Sequence, residues 1–209
     1  MMQFVALLCT MIAFDSAVAN PAFVYHFDAA SAAGIEGAIH VNYAGYDSSV
    51  ATISAALDFS QVDQIAIRAF DRVCVEPVTE YKWHIHVRWS SPQRSASFGK
   101  CAIGATGNHL DPLFACSPDS EHIAQPQCKA RSLKYACNPA NYAKNPLVCE
   151  KGDLSGKFGN FVLNDEQKVT GEWVDKHFPL PSENRPSIVL HAICGNHPVR
   201  IACAVEEVA

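Results

Sequence analysis

Two histidines stand two residues apart in a short, largely apolar stretch, Tyr81–Trp89, which reads YKWHIHVRW. Residues i and i+2 of a β-strand point to the same face, so His84 and His86 would lie side by side. Burying two neighbouring imidazoles costs free energy unless both are hydrogen-bonded or bind a metal ion. The pair therefore indicates a metal site, with hydrogen-bonded core histidines as the alternative.

Other histidines could complete such a site, since the chain contains nine. His109 lies in a loop-like stretch, Asn108–Pro112, and His191 ends an apolar run, Ser187–His191. Four imidazoles without a thiolate suit copper, zinc or nickel. A strand pair with one distant histidine is also how zinc hydrolases hold an ion with an open water position. A hydrolytic zinc site and a copper redox centre therefore both remain open.

The elements that must position these side chains are mostly strands, because helix patterns are scarce and short apolar runs are frequent. We predict strands at Phe23–Phe27, Gly37–Val41, Ser49–Leu57, Gln64–Phe70, Lys82–Trp89, Lys157–Leu163, Ser187–His191 and Arg200–Val205. Short runs separated by Gly, Pro, Asn and Asp are typical of an all-β sandwich or barrel.

The beginning of the 209-residue chain has the pattern of a signal peptide. An apolar run, Phe4–Phe14, precedes the small residues Ala17, Val18 and Ala19, and it is too short to span a bilayer. We expect residues 1–19 to be removed and residues 20–209 to form one secreted domain; a buried N-terminal strand is the alternative. No later segment predicts a membrane span.

The charge of the chain argues against nucleic-acid binding. The formal net charge is −5, and no cluster of Lys and Arg is present.

Cysteine usage agrees with export. Beyond the predicted leader the cysteines are Cys74, Cys101, Cys116, Cys128, Cys137, Cys149, Cys194 and Cys203. An even number in an exported chain predicts up to four disulfides, whose pairing does not follow from spacing. A thiolate metal cluster is the alternative, but no CxxC motif supports it. Residues 113–148 contain four prolines and three of these cysteines, and we predict a long irregular loop tied down by disulfides.

Several segments together resemble the copper–zinc superoxide dismutase family, and more closely its copper-only, extracellular branch. The segments are HIHVRW, NHLDPL, CEKGDLSGKFGN, PSIVLHA and RIACAV, and they follow the family's order from Trp83 to Val205. The resemblance implies a Greek-key β-barrel, with residues 113–148 as a disulfide-stapled loop insertion. It implies one copper ion, held by His84, His86, His109 and His191.

The resemblance also implies the surroundings of the copper ion. Arg200 matches the arginine beside the copper channel, where a permanently charged guanidinium attracts a small anion. Cys101 and Cys203 match the pair that staples a ligand-bearing loop to the barrel. We expect the four cysteines at 116, 128, 137 and 149 to staple the insertion, and Cys74 to pair with Cys194.

The chain departs from the two-metal enzymes at the zinc site. Asp153 matches their zinc-binding aspartate, but Glu150 and Ser117 stand where two zinc-binding histidines belong, and His122 is out of register. We therefore do not expect zinc and interpret Asp153 as a turn-capping acid. Glu150 would instead accept the outer N–H of His109.

The loop before Arg200 is also short in this chain. Only residues 192–199 connect His191 to Arg200. We therefore expect the copper site to be more open to solvent than in the two-metal enzymes.

The implied activity is conversion of superoxide to oxygen and hydrogen peroxide. Copper changes oxidation state by one electron, as this reaction requires, whereas zinc does not. In the implied mechanism Arg200 attracts the anion, His109 delivers a proton, and Glu150 holds or relays it. The resemblance favours a monomer. A non-enzymatic copper-binding or cell-surface module on the same barrel is the alternative.

Overall fold

The computed structural model describes residues 19–181 and 185–209. The predicted signal peptide lies outside the described residues except for Ala19. Within the described ranges, none of the helices has the length and apolar character that crossing a membrane requires.

Nine antiparallel strands form the described fold. They are β1 (Ala22–Phe27), β2 (Glu36–Tyr43), β3 (Ala51–Asp58), β4 (Glu80–His86), β5 (Ser95–Ser97), β6 (Phe161–Val162), β7 (Lys168–Asp175), β8 (Ser187–Cys194) and β9 (His197–Val208). The helices are α1 (Gln64–Phe70), α2 (Ile103–Thr106), α3 (Pro126–Ser132), α4 (Pro139–Lys144) and α5 (Leu154–Phe158). Two short 3₁₀ turns cover Phe98–Cys101 and Pro146–Val148.

The strands close into a nearly complete barrel. Their order is β6-β4-β8-β9-β1-β2-β3-β7, and β5 pairs with β9. The two end strands, β6 and β7, follow each other in the chain, and aromatic rings span the gap between them. Trp83 stacks on Phe161 at 4.4 Å and lies 5.0 Å from Trp173 between ring centroids. Because β4 pairs with β8 and β1 with β9, long connections cross the barrel ends, as in a Greek key.

Burial patterns explain why these segments form strands. In β3, Ala51, Ile53, Ala55 and Leu57 alternate inward, as expected of a strand with one wet face. In β8, by contrast, seven of the eight residues are buried. On the face of β8 that points away from the main core, Val189 packs in a second cluster with Ala96, Cys101 and Cys203. His191, on the same face, is also buried.

Two predicted strands are wrong. Gln64–Phe70 forms helix α1, because Asp63 caps its first turn by accepting from the N–H groups of Ile65 and Ala66. In that helix only Ile67 is buried, so no alternating inward face exists. The predicted strand over 157–163 is instead the end of α5 followed by the two residues of β6.

Some elements lie outside the predicted strands altogether. Strand β7 contains a glycine and many polar residues, which concealed its alternation, and β5 has only three residues.

The 113–148 insertion is more ordered than predicted. It contains α3, α4 and the second 3₁₀ turn, and each begins with a proline in its first turn. A proline at this position fits a helix because the first N–H groups of a helix have no intrahelical partner. The prediction of an irregular loop was therefore wrong.

The structure contains four disulfides, as many as the cysteine count allowed, and it confirms the Cys101–Cys203 and Cys74–Cys194 pairs. The pairing of the four cysteines of the insertion was not predicted. Two of the disulfides, Cys116–Cys128 and Cys137–Cys149, close within or at the edge of the insertion. The other two tie distant parts of the barrel and are Cys74–Cys194 and Cys101–Cys203. The all-β barrel with a stapled insertion is thus confirmed.

Candidate metal centre

Four histidines meet beside the face of β4 and β8 that points away from the main hydrophobic core. His84 and His86 come from β4, His191 from the neighbouring strand β8, and His109 from the loop after α2. One ligand nitrogen of each lies within 4.8 Å of the others, and all four residues are buried. The ring centroids are between 4.2 Å and 6.4 Å apart. The structure thus brings together every histidine that the sequence analysis assigned to the site.

A register shift between β8 and β9, which leaves Ile201 of β9 unpaired, aligns Arg200 with His191 of this cluster. The register between β8 and β9 shifts between Leu190 and His191, so that Leu190 faces Ala202 while His191 faces Arg200. A bulge bends a strand and redirects its side chains, and bulges are common beside functional sites. The same irregularity therefore places a ring of the cluster and the guanidinium of Arg200 next to each other.

Backbone hydrogen bonds hold the loop of His109 against β4. The His109 N–H donates to the carbonyl of Asp119 at 2.9 Å, and the Leu110 N–H donates to the carbonyl of Ile85 at 3.0 Å. His109 and His86 also form an isolated antiparallel bridge. The loop ligand is thus fixed to the strand that supplies two other rings.

Two of the rings have defined tautomers. Nδ1 of His86 lies 2.9 Å from the carbonyl of Gly107, and Nδ1 of His109 lies 2.9 Å from Oε2 of Glu150. A carbonyl and a carboxylate only accept hydrogen bonds, so both Nδ1 atoms donate. The Nε2 atom of each ring consequently keeps its lone pair, as metal binding requires.

Unpartnered nitrogens show that the cluster fits a metal ion. Among the described residues, Nδ1 of His84, Nε2 of His86 and Nε2 of His191 are the buried side-chain polar atoms that lack a hydrogen-bond partner. Leaving one such group unsatisfied costs about 1–3 kcal/mol, so three in one place are unusual. A cation bound between the lone pairs would satisfy them together. Four imidazole donors without a thiolate suit copper, zinc or nickel.

Three of the rings, those of His84, His86 and His191, are in the neutral form that binds metal. Burial, with a contribution from His109, lowers the pKa of His84 to about 4. Burial likewise places the pKa values of His86 and His191 well below the ordinary value. A metal ion would therefore not have to displace protons from these three rings at neutral pH.

Glu150 lies against His109, as the sequence analysis expected. Its side chain is buried, and its second oxygen, Oε1, accepts the backbone N–H of Ser117 at 2.7 Å. Burial raises the pKa of Glu150, while the contact with His109 opposes that rise. Both carboxylate oxygens therefore have donors, which fixes the orientation of the carboxylate.

Gly152 brings the segment of Glu150 close to β4. Its carbonyl accepts the Ile85 N–H and its own N–H donates to the Leu110 carbonyl, both at 2.8 Å. A Cβ atom at this position would lie 2.4 Å from the Ile85 carbonyl oxygen, so the approach requires glycine.

Asp153 caps α5 and also touches the cluster. Oδ1 accepts the Gly156 N–H at 2.7 Å, which confirms the predicted capping role. The same oxygen lies 3.5 Å from Nε2 of His84, and Oδ2 accepts the hydroxyl of Tyr135 at 2.7 Å. Burial alone would raise the pKa of Asp153, but His84 and Tyr135 hold that pKa below its usual range. The contact with Tyr135 is one that the sequence analysis missed.

Arg200 is half-buried and braced by the loop before His109. Its Nη1 donates to Thr106 Oγ1 at 2.7 Å, to the Gly107 carbonyl at 3.2 Å and to the Cys101 carbonyl at 3.3 Å. The Gly107 carbonyl thus accepts from both Arg200 and His86. Gly107 has a φ of +75°, and a Cβ there would meet a Val87 methyl group at 2.5 Å.

An open pocket reaches the cluster from solvent. It has a volume of about 520 Å³, and His84, His109 and His191 lie in its wall. Lys82 also lines it, two residues before His84 on the same face of β4. That spacing could have revealed Lys82 from the sequence. The connection before Arg200 is a tight hairpin, in which Cys194 pairs with His197, and it leaves the pocket open.

Ser117 and His122 are outside the histidine cluster. Ser117 gives its backbone N–H to Glu150, and its hydroxyl accepts from the backbone of Asp119. The ring of His122 stacks on Phe114 with centroids 3.9 Å apart. Neither residue replaces the missing zinc-binding histidines, although the absence of zinc itself stays a prediction.

No protein-family model and no curated protein sequence matches the chain significantly. Solved structures of superoxide dismutase 5 from Candida albicans do match in fold. The Cu(II) form has a TM-score of 0.54 and 22% identity over 91% of this chain and 93% of that chain. A mutant form has a TM-score of 0.55 and 21% identity over 92% of each. The chain therefore shares the fold of these superoxide dismutase structures, which confirms the barrel that the resemblance implied.

Proposed function

We propose that the protein is a secreted copper-only superoxide dismutase. The observation that carries the proposal is the convergence of four buried histidines beside an open pocket. Three of them line the pocket, and three hold a buried nitrogen without a hydrogen-bond partner. Arg200 lies beside the same cluster. Such a site suits a small anionic substrate and a metal that changes its oxidation state.

Copper is the metal that this proposal assigns to His84, His86, His109 and His191. The nitrogen-only donor set is compatible with it, and a protein of the same fold has been solved in a Cu(II) form. Copper, when bound, supplies the one-electron oxidation and reduction that convert two superoxide ions to oxygen and hydrogen peroxide. We do not expect zinc, because Glu150 and Ser117 bond to each other where two further histidines would be needed.

Arg200 binds and orients the superoxide anion. Within the described part of the chain, its bonds to the protein frame all come from Nη1, so Nε and Nη2 can donate to an anion. Arg200 faces His191 across the β8–β9 pairing, and it shares the Gly107 carbonyl with His86. Substrate held there would therefore lie next to the metal-binding rings.

His109 and Glu150 handle the proton. Glu150 keeps the Nδ1 proton of His109 in place, so that only Nε2 of that ring can bind metal or hold a second proton. His109 would deliver one of the two protons that hydrogen peroxide requires, from Nε2, and the second would come from solvent through the open pocket. Glu150 would balance the charge of the ring while it is protonated. The role of Glu150 is to ensure that metal binding and proton transfer both use the same nitrogen of His109, Nε2.

The four disulfides agree with export from the cell. Four disulfides are rare in reducing compartments and common in extracellular proteins. We propose that residues 1–19 direct secretion, that residues 20–209 are the mature domain, and that this domain is a monomer.

Metal analysis combined with a rate measurement tests the proposal. We expect the purified protein to bind one copper ion, to dismutate superoxide after copper loading, and to gain nothing from added zinc. The His191→Ala variant should lose copper and activity, whereas His122→Ala, outside the cluster, should keep both. Activity that requires zinc would overturn the copper-only assignment. Tight copper binding without activity would identify the binding module instead.

A further inference from the structure

The 113–148 insertion contacts the barrel through two tyrosines that each donate to a carboxylate. Tyr135 donates to Asp153 at 2.7 Å, beside the histidine cluster. Tyr142 donates to Asp175 at 2.5 Å, in a different part of the barrel where Asp175 also accepts from Lys157. The two contacts have the same chemistry, but only the first is adjacent to the proposed copper site.

The hydroxyl of Tyr135 joins the two acids of the site. It donates to Asp153 and accepts the backbone N–H of Glu150 at 3.1 Å. Asp153 lies 3.5 Å from His84, and Glu150 lies 2.9 Å from His109. One oxygen atom thus contacts both residues that lie against these two rings, whose centroids are 4.2 Å apart.

A disulfide holds the two segments that form this junction. Cys137 follows Tyr135 by two residues, Cys149 immediately precedes Glu150, and the two cysteines are bonded with a Cα–Cα distance of 4.9 Å. The phenol also remains a donor, because burial and the neighbouring acids raise the pKa of Tyr135. The insertion therefore delivers a permanently protonated hydroxyl at a fixed place.

We propose that Tyr135 is a positioning residue for the copper centre. Its hydroxyl sets the orientation of Asp153 and the backbone of Glu150, and through them the rings of His84 and His109. The inference rests on the proposed function, since it assigns to the insertion a task at that same site. The hydroxyl gives Asp153 a partner in a place where the two-metal relatives supply a cation.

A matched pair of substitutions tests this role in the full-length, copper-loaded protein. Tyr135→Phe and Tyr142→Phe each delete one hydroxyl of the insertion that bonds a carboxylate. We expect Tyr135→Phe to change the Cu(II) electron paramagnetic resonance spectrum and to weaken copper binding about tenfold, the lower end for residues that support a metal ligand. Tyr142→Phe should leave spectrum and affinity unchanged, although both variants should melt at lower temperature.

A second variant separates positioning from a loss of folding. Because part of the effect of Tyr135 passes through Asp153 and part through the Glu150 backbone, adding Tyr135→Phe to Asp153→Asn should weaken copper binding by less than Tyr135→Phe weakens it in the wild-type protein. The inference would be overturned if the losses of copper affinity in the two single variants multiplied fully in the double variant. It would also be overturned if Tyr135→Phe and Tyr142→Phe had the same spectrum and copper affinity. Either outcome would leave the dismutase proposal intact. A wild-type protein that binds no copper would overturn both.

Discussion

Replacing Glu150 with glutamine should misdirect the proton of His109. In the wild-type protein, one carboxylate oxygen accepts from Ser117 and the other accepts from Nδ1 of His109. Glutamine has the same shape but only one acceptor oxygen. If that oxygen faces Ser117, the amide N–H₂ faces the ring, so Nδ1 must accept and the proton moves to Nε2. If it faces the ring, two donors meet at Ser117.

The size of the effect follows from either arrangement. With a metal ion on Nε2, Nδ1 of His109 and the backbone N–H of Ser117 must both donate, so the single oxygen of glutamine leaves one of these buried donors without a partner, which costs about 1–3 kcal/mol. If that cost falls on the metal-bound state, it corresponds to a loss of about 5- to 150-fold in copper affinity. In the first arrangement the proton occupies the very nitrogen that the proposed copper ion requires, so we expect a value in the upper part of that range.

A competition titration with a chelator of known affinity measures this loss, and the Cu(II) spectrum reports the change in ligands. The matched control is Glu121→Gln, because Glu121 also accepts a backbone N–H in the insertion, that of Asp111 at 2.8 Å, but touches no ring of the cluster. A Glu150→Gln protein with wild-type copper affinity and an unaltered spectrum would refute the tautomer argument.

The other predictions concern stability and substrate approach. Lys157→Met leaves Asp175 buried without its cation and should lower the free energy of unfolding, measured by urea titration, by about 3–5 kcal/mol. Lys168→Met removes one partner of an exposed pair and should change that free energy little. Equal losses in the two variants would contradict this prediction. Burial raises the pKa of Glu206 to about 7 in the folded protein, so this carboxyl loses its proton at a lower pH in the unfolded chain than in the folded one. The free energy of unfolding should therefore fall as pH rises from about 4.5 to 7, with a slope of at most about 1.4 kcal/mol per pH unit. Glu206→Gln should flatten that slope in unfolding experiments across this range, and an unchanged slope would show that another group causes it. Lys82→Met removes a positive charge from the wall of the pocket and should slow superoxide consumption severalfold at low ionic strength, whereas Lys168→Met should not. Equal rates and equal salt dependence in the two variants would argue against steering by Lys82.

The ligand set was accessible from the sequence because its signals are local. His84 and His86 share a strand face by simple alternation, and resemblance of short motifs supplied His109, His191 and Glu150. The strands around them can also be predicted from the sequence where one face is buried and apolar residues alternate, as in β3. Local patterns therefore predicted the barrel and the residues that it brings together.

Other features depend on contacts between distant segments. Tyr135 lies in a stretch rich in Pro and Cys, and nothing nearby in the sequence indicates that its hydroxyl reaches Asp153. The error at Gln64–Phe70 has a different origin, because a capping aspartate decided a segment whose apolar residues fit a strand equally well. Tertiary packing and a single side-chain bond are not visible in periodicity.

The shared acceptor at Gly107 has a consequence for experiments on this protein. One carbonyl oxygen receives both a ring nitrogen of His86 and the guanidinium of Arg200, and the backbone around it tolerates no side chain. Any shift of that peptide must therefore move both residues together, and with them the proposed metal coordination and anion capture. Spectroscopic and kinetic defects should accordingly appear together in variants of this loop, and they cannot be treated as two independent measures of damage.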